Sequence, residues 1–151
     1  MKVISSMLFF IMLISNQFSN HRTYEFSLGK QKYSIELPRG LEISNDNRAE
    51  RAVKFTLKGK DILYLEKISS LHNHCEIIEC WNIEGMDGIG KAYVLKCTLP
   101  ASEESNKCWY QIAGSLALKG DKLHVYMNTE EKDIAASIGA FEEILKSIKL
   151  A

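Results

Sequence analysis

The chain is poor in the features that usually announce a function. Its 151 residues contain two prolines, formal net charge is zero, and no segment repeats at a period of 20–50 residues. The balanced charge excludes a basic nucleic-acid binder. There is no Gly-x-Ser-x-Gly elbow, no His-Glu-x-x-His and no complete Gly-x-x-x-x-Gly-Lys-Ser/Thr, since Gly85 to Lys91 is followed by Ala92 where that motif needs a hydroxyl. No Asn-x-Ser/Thr sequon occurs either, which suits a bacterial exported protein. Beyond the first twenty residues no apolar run is long enough to span a bilayer. With 46% hydrophobic and 25% charged residues, the composition is that of an ordinary globular domain rather than a disordered chain.

The first twenty residues form a separate object. Met1-Lys2 is a short basic start, and Val3 to Ile14 is apolar apart from Ser5 and Ser6. Ser15, Asn16, Gln17, Ser19 and Asn20 add a polar tail. That order predicts a secretory signal peptide over residues 1–20, cut after Ser19 or Asn20. About twelve apolar residues fall short of the ~20 a spanning helix needs. No cysteine lies near position 20, so lipid attachment there is excluded. The segment holds one of the 19 basic residues and none of the 19 acidic ones, so residues 21–151 carry a net charge of −1. The expectation is a single periplasmic domain over 21–151, with no stable membrane insertion after cleavage.

Strand patterns dominate that domain. Tyr24–Leu28 and Lys32–Leu37 flank Gly29 as a hairpin, with Tyr33, Ile35 and Leu37 on one face. Residues 44–51 are polar and read as a loop or a short helical turn. Val53, Phe55 and Leu57 alternate, Lys58-Gly59-Lys60-Asp61 turns, and Ile62–Ile68 returns as a second hairpin. A meander follows. Ile77–Ile83 is a strand, Glu84–Gly90 a glycine-rich loop, and Lys91–Leu99 a strand with Tyr93, Leu95, Cys97 and Leu99 on one face. Cys108–Leu118 is the next, with Cys108, Tyr110, Ile112, Leu116 and Leu118 on one face, and Leu123–Met127 the last.

The period then changes. Ile134, Ile138, Phe141, Leu145 and Ile148 recur at spacings of four and three, the stripe of an amphipathic helix. Asn128 is its candidate N-cap, with Glu131 as capping-box partner. The fold class is therefore α+β: an antiparallel β-sheet meander packed by a C-terminal amphipathic helix.

Two stretches resemble a known family. Tyr33-Ser-Ile-Glu-Leu-Pro-Arg-Gly-Leu41 is an alternating strand closed by Pro-x-Gly. Phe141-Glu-Glu-Ile-Leu-Lys-Ser-Ile-Lys-Leu150 ends in Leu-x-Ser-x-x-Leu. With the meander between them, these look like the Mog1/PsbP-like α/β/α sandwich. Four cysteines and the lack of a clear long helix after the first hairpin depart from that pattern. The resemblance implies protein binding rather than chemistry: relatives include photosystem accessory proteins, a nuclear-transport cofactor, envelope proteins and secretion-system adaptor or immunity proteins. It carries over no catalytic residue.

The cysteines, Cys75, Cys80, Cys97 and Cys108, predict two disulfides in an exported chain. Cys97 with Cys108 and Cys75 with Cys80 is the preferred pairing; Cys75 with Cys97 and Cys80 with Cys108 is the next. His72-Asn-His74-Cys75 followed by Cys80 has zinc-like spacing, but an oxidising compartment converts those thiols to disulfides, so no metal and no cofactor are expected. His124 and Tyr126, opposite Leu123, Val125 and Met127, read as surface or second-layer residues.

Charge gives the sharper clue. Residues 30–67 hold nine basic and six acidic residues. Ile68 to Gly90 holds Glu76, Glu79, Glu84 and Asp87, and no Lys or Arg. Glu84, Gly85, Met86, Asp87 and Gly88 form an acidic tip, supported by Glu103 and Glu104, that would insert into a basic protein surface. The expectation is a non-enzymatic protein-binding module, an immunity protein that occludes a toxin's active site. The alternative is an assembly accessory of an envelope complex.

Overall fold

A computed structural model describes residues 21–44, 52–67, 75–83, 89–98 and 108–151. The segment 1–20 lies outside the described residues. A long sheet carries the fold. Its strands are β3 (Glu42–Ser44), β4 (Ala52–Leu57), β5 (Lys60–Glu66), β6 (Cys75–Asn82), β7 (Ile89–Thr98), β8 (Cys108–Leu118) and β9 (Asp121–Thr129). They lie in the order β3-β4-β5-β9-β8-β7-β6, every described pairing antiparallel. A smaller sheet joins β1 (His21–Leu28), β2 (Gln31–Pro38) and β10 (Lys149–Leu150) in the order β1-β2-β10. The helix α1 (Ile134–Ser147) follows one 3-10 turn at Glu131–Asp133.

Alternation determines which side of each strand is buried. Tyr24, Phe26 and Leu28 on β1, and Tyr33, Ile35 and Leu37 on β2, all face inward. Phe55 of β4 meets two of them edge to face, Tyr24 at 5.7 Å and Phe26 at 6.0 Å between ring centroids. The tight turns fit their residues. Lys58-Gly59 and Lys119-Gly120 both take positive φ, the backbone a two-residue hairpin needs.

The helix lies on the same face as the small sheet. Its buried residues are Ser137, Ala140, Phe141, Ile144 and Leu145, and they join the small sheet, Val53, Phe55, Ile112 and Val125 in one core. Gly114 of β8 is what lets the helix approach. A Cβ there would stand 3.1 Å from Phe141 Cε1 and 3.2 Å from Leu145 Cδ1. Thr129 Oγ1 and Ser137 Oγ, 2.6 Å apart, join the end of β9 to the first turns of α1.

Three sequence expectations need correction. Asn128 does not cap the helix; it lies within β9, where its Oδ1 accepts from Gln111 Nε2 at 2.9 Å and its Nδ2 donates to Asp61 O. The buried stripe is rotated from the expected one, leaving Ile134 and Ile138 only half-buried. The helix also stops at Ser147. Ile148 is extended and buried, and Lys149-Leu150 pairs with Ser34 and Tyr33 of β2. A long run of i+3/i+4 positions hides that break, because a two-residue strand shows no period of its own. Among the described residues no helix is long and apolar enough to cross a membrane.

Two glycines give opposite expectations. Gly114→Val forces a branched side chain into Phe141 and is expected to cost about 1–3 kcal/mol of stability. Gly139, exposed in mid-helix with open space at its Cβ, gains stability on substitution by Ala, about 1 kcal/mol. Urea unfolding of both variants measures the contrast.

Candidate functional site

The helix and the small sheet cover one face of the seven-stranded sheet, so among the described residues its other face carries no packed layer. Register lines that face with rows that cross the strands. One row runs Cys80, Tyr93, Ala113, Tyr126, Tyr64 and Lys54 over β6, β7, β8, β9, β5 and β4. Tyr64 and Tyr126 lie 6.1 Å apart between ring centroids. Lys54 Nζ is 5.9 Å from the Tyr64 ring and 3.4 Å from Asp61 Oδ2.

The neighbouring row sets Ser115, His124 and Glu66 side by side on β8, β9 and β5. A cavity of about 250 Å³ opens here, lined by Tyr93, Ser115, Lys122, His124 and Tyr126. Burial lowers the His124 pKa from its ordinary value and the Lys122 ammonium lowers it further, while Glu66 opposes both. The balance favours the uncharged imidazole. No hydrogen bond joins Ser115 to His124, the contact a serine nucleophile requires. Sequence placed His124 and Tyr126 on this face by parity. It did not bring Tyr64, Tyr93 and Glu66 beside them, because only register does that.

The cysteine pairing differs from the preferred one. Cys75 is bonded to Cys97, its direct cross-strand neighbour, with the Cα atoms 4.1 Å apart. Two facts exclude the preferred pairs. Cys97 pairs with Trp109 while Cys108 pairs with Thr98, so Cys97 and Cys108 lie on opposite faces of the sheet. Cys75 and Cys80 lie on one extended strand rather than across a turn. Of the alternative pairing, the Cys75–Cys97 half is the one present. The Cys80–Cys108 half does not fit: Cys80 lies opposite Tyr93 and Cys108 opposite Thr98, about 16 Å along β7 against a Cα limit of about 7 Å. Cys80 is a free, exposed thiol.

Among the described residues the strand β6 is the last of the sheet. Ile77 and Ile78 are 54% and 52% exposed, the highest values among the large exposed hydrophobic residues described. Glu76 and Glu79 beside them are exposed as well. Trp81 Nε1 donates to Glu142 Oε1 at 2.9 Å, which ties the end of β6 to α1. Glu84, Gly85, Met86, Asp87 and Gly88 follow directly, and they lie outside the described residues, as do Glu103, Glu104, His72 and His74. Among the described residues no three His, Cys, Asp or Glu side chains form a metal-holding cluster.

Two measurements follow from this geometry. A non-reducing digest should yield Cys75 linked to Cys97, and iodoacetamide should label Cys80 in the native protein. His124 binds fewer protons folded than unfolded, so its stability contribution is present above the unfolded value near 6.5 and is lost as pH falls below it. Urea midpoints of the wild type should therefore drop between pH 7.5 and pH 5, and His124→Gln should flatten that dependence.

No protein-family model matches the chain, and no curated protein matches it significantly. Among solved structures it is similar to the solution structure of cyanobacterial PsbP (CyanoP) from Synechocystis sp. PCC 6803. The TM-score is 0.57 at 14% identity, over 91% of this chain and 96% of that one. The fold is therefore PsbP-like, with its described part mainly β and a single C-terminal helix.

Proposed function

We propose that the chain is an exported, non-catalytic protein-binding module. More narrowly, it is an immunity protein that neutralises an antibacterial toxin by occluding the toxin's active site. The edge strand β6 carries this reading, with exposed Ile77 and Ile78 between exposed carboxylates. Apolar side chains left in water on a sheet edge are a standing cost and mark interaction surfaces. In the sequence the acidic segment Glu84–Gly88 comes soon after this strand and adds two more carboxylates. A partner with a basic surface complements both, which speeds encounter and excludes acidic competitors. The Cys75–Cys97 disulfide supports an oxidising compartment such as the periplasm. The alternative, an assembly accessory of an envelope complex, rests on the fold likeness alone.

A mixed-culture competition tests the reading. Cells lacking this gene should be killed by siblings that carry the cognate toxin, and the wild-type gene should restore survival. Glu84→Lys combined with Asp87→Lys should abolish protection while leaving the fold intact by circular dichroism. Full protection by the double variant would remove the acidic tip from the interface, and survival of the deletion strain would remove the immunity assignment.

A further inference from the structure

We propose that β6 is a strand-addition site for a short extended segment of another protein, one with alternating basic and apolar side chains. This deepens the protein-binding reading and rests on it.

The backbone supplies the first argument. In an antiparallel ladder, residues directly opposite each other alternate between close pairs that share no hydrogen bond and wider pairs that share two. The 4.1 Å separation of the Cys75 and Cys97 Cα atoms marks a close pair. Counting along the register from there, Ile77 opposite Leu95, Cys80 opposite Tyr93 and Asn82 opposite Lys91 are close pairs too. Their N–H and C=O groups point away from β7, toward the edge. Among the described residues no strand lies beyond β6 to receive them. The sheet's other edge is β3, with only three residues against eight in β6.

The side chains supply the second. Ile77 and Cys80 face the uncovered side of the sheet, and Glu76 and Glu79 face the other. Neither carboxylate forms a hydrogen bond or ion pair within the described chain. Lys96 stands opposite Glu76 on β7, whereas Glu79 faces Val94. An incoming strand therefore meets acids on one side and isoleucine on the other. Lysine or arginine at every second position, with apolar residues between, complements both sides at once.

A second copy of this chain fits less well. It would bring the same two carboxylates to the edge, and β6 contains no lysine or arginine to answer them. The register shift between Ile77 and Glu79 also breaks the edge into two short runs, which favours a short segment over extended self-pairing.

The test is an anisotropy titration of the full chain with a fluorescein-labelled eight-residue peptide of alternating lysine and valine. Saturable binding that strengthens as salt is lowered is expected. Glu76→Lys with Glu79→Lys should weaken it at least tenfold. Ile77→Thr with Ile78→Thr, which keeps strand propensity, should weaken it several-fold. The same peptide N-methylated at alternate amides should lose binding, because strand addition needs its backbone donors. Equal affinity for the methylated peptide, or for the charge-reversed variant, overturns the proposal. So does a β6-paired dimer as the main species in sedimentation. A chain that protects its host but ignores the peptide overturns the edge site and leaves the protein-binding reading standing.

Discussion

The register of β7 against its two neighbours decides what this sheet offers to a partner. It turns Ala92 and Val94 into the core and Tyr93, Leu95 and Cys97 to the opposite face. It also sets Cys97 against Cys75, so the disulfide clips the outermost strand onto the sheet. The sequence separation of 22 corresponds to about 3 kcal/mol in the chain-entropy model. That clip adds a covalent hold to the β7 ladder and the Trp81–Glu142 hydrogen bond, which also keep this exposed edge strand on the sheet. The same register separates Cys108 from Cys97 by a sheet face and from Cys80 by five positions along β7. A one-residue slip would reverse every one of these assignments.

Burial on a single face is the second constraint. Phe55 and Phe141 anchor the small sheet and the helix to the same side, and Gly114 makes room for the latter. The polar and aromatic rows are left on the other side, where Tyr93 and Tyr126 line the cavity with His124 and Tyr64 lies beside Tyr126. Buried hydrogen bonds such as Thr129 to Ser137 fix the helix along β9 rather than add much net stability.

Much of the fold was legible in one dimension. Alternation placed Tyr33, Ile35 and Leu37, then Val53, Phe55 and Leu57, on inward faces, and the change of period announced the helix. Parity was correct for Tyr93, Leu95 and Cys97 and for Tyr110 and Ile112. What it could not carry was pairing between strands. Parity shows that two cysteines each lie on their own strand's apolar side, not that the two sides coincide in the sheet. Strands of three and two residues, β3 and β10, are too short to display a period, and β10 was absorbed into the helical stripe. The aromatic row was invisible for the same reason, since its members come from separate strands. At the candidate interface, sequence charge pointed to the acidic segment that begins at β6. It could not show that this strand is the edge of the sheet.

An uncovered edge is the claim on which the functional account turns, and amide hydrogen exchange of the free protein, read residue by residue along β6, tests it most directly. The account predicts an alternation: slow exchange at Glu76, Glu79 and Trp81, which bond to β7, and fast exchange at Ile77, Cys80 and Asn82, which point outward. Uniformly slow exchange along the strand would show that this edge is already paired, and would contradict the account.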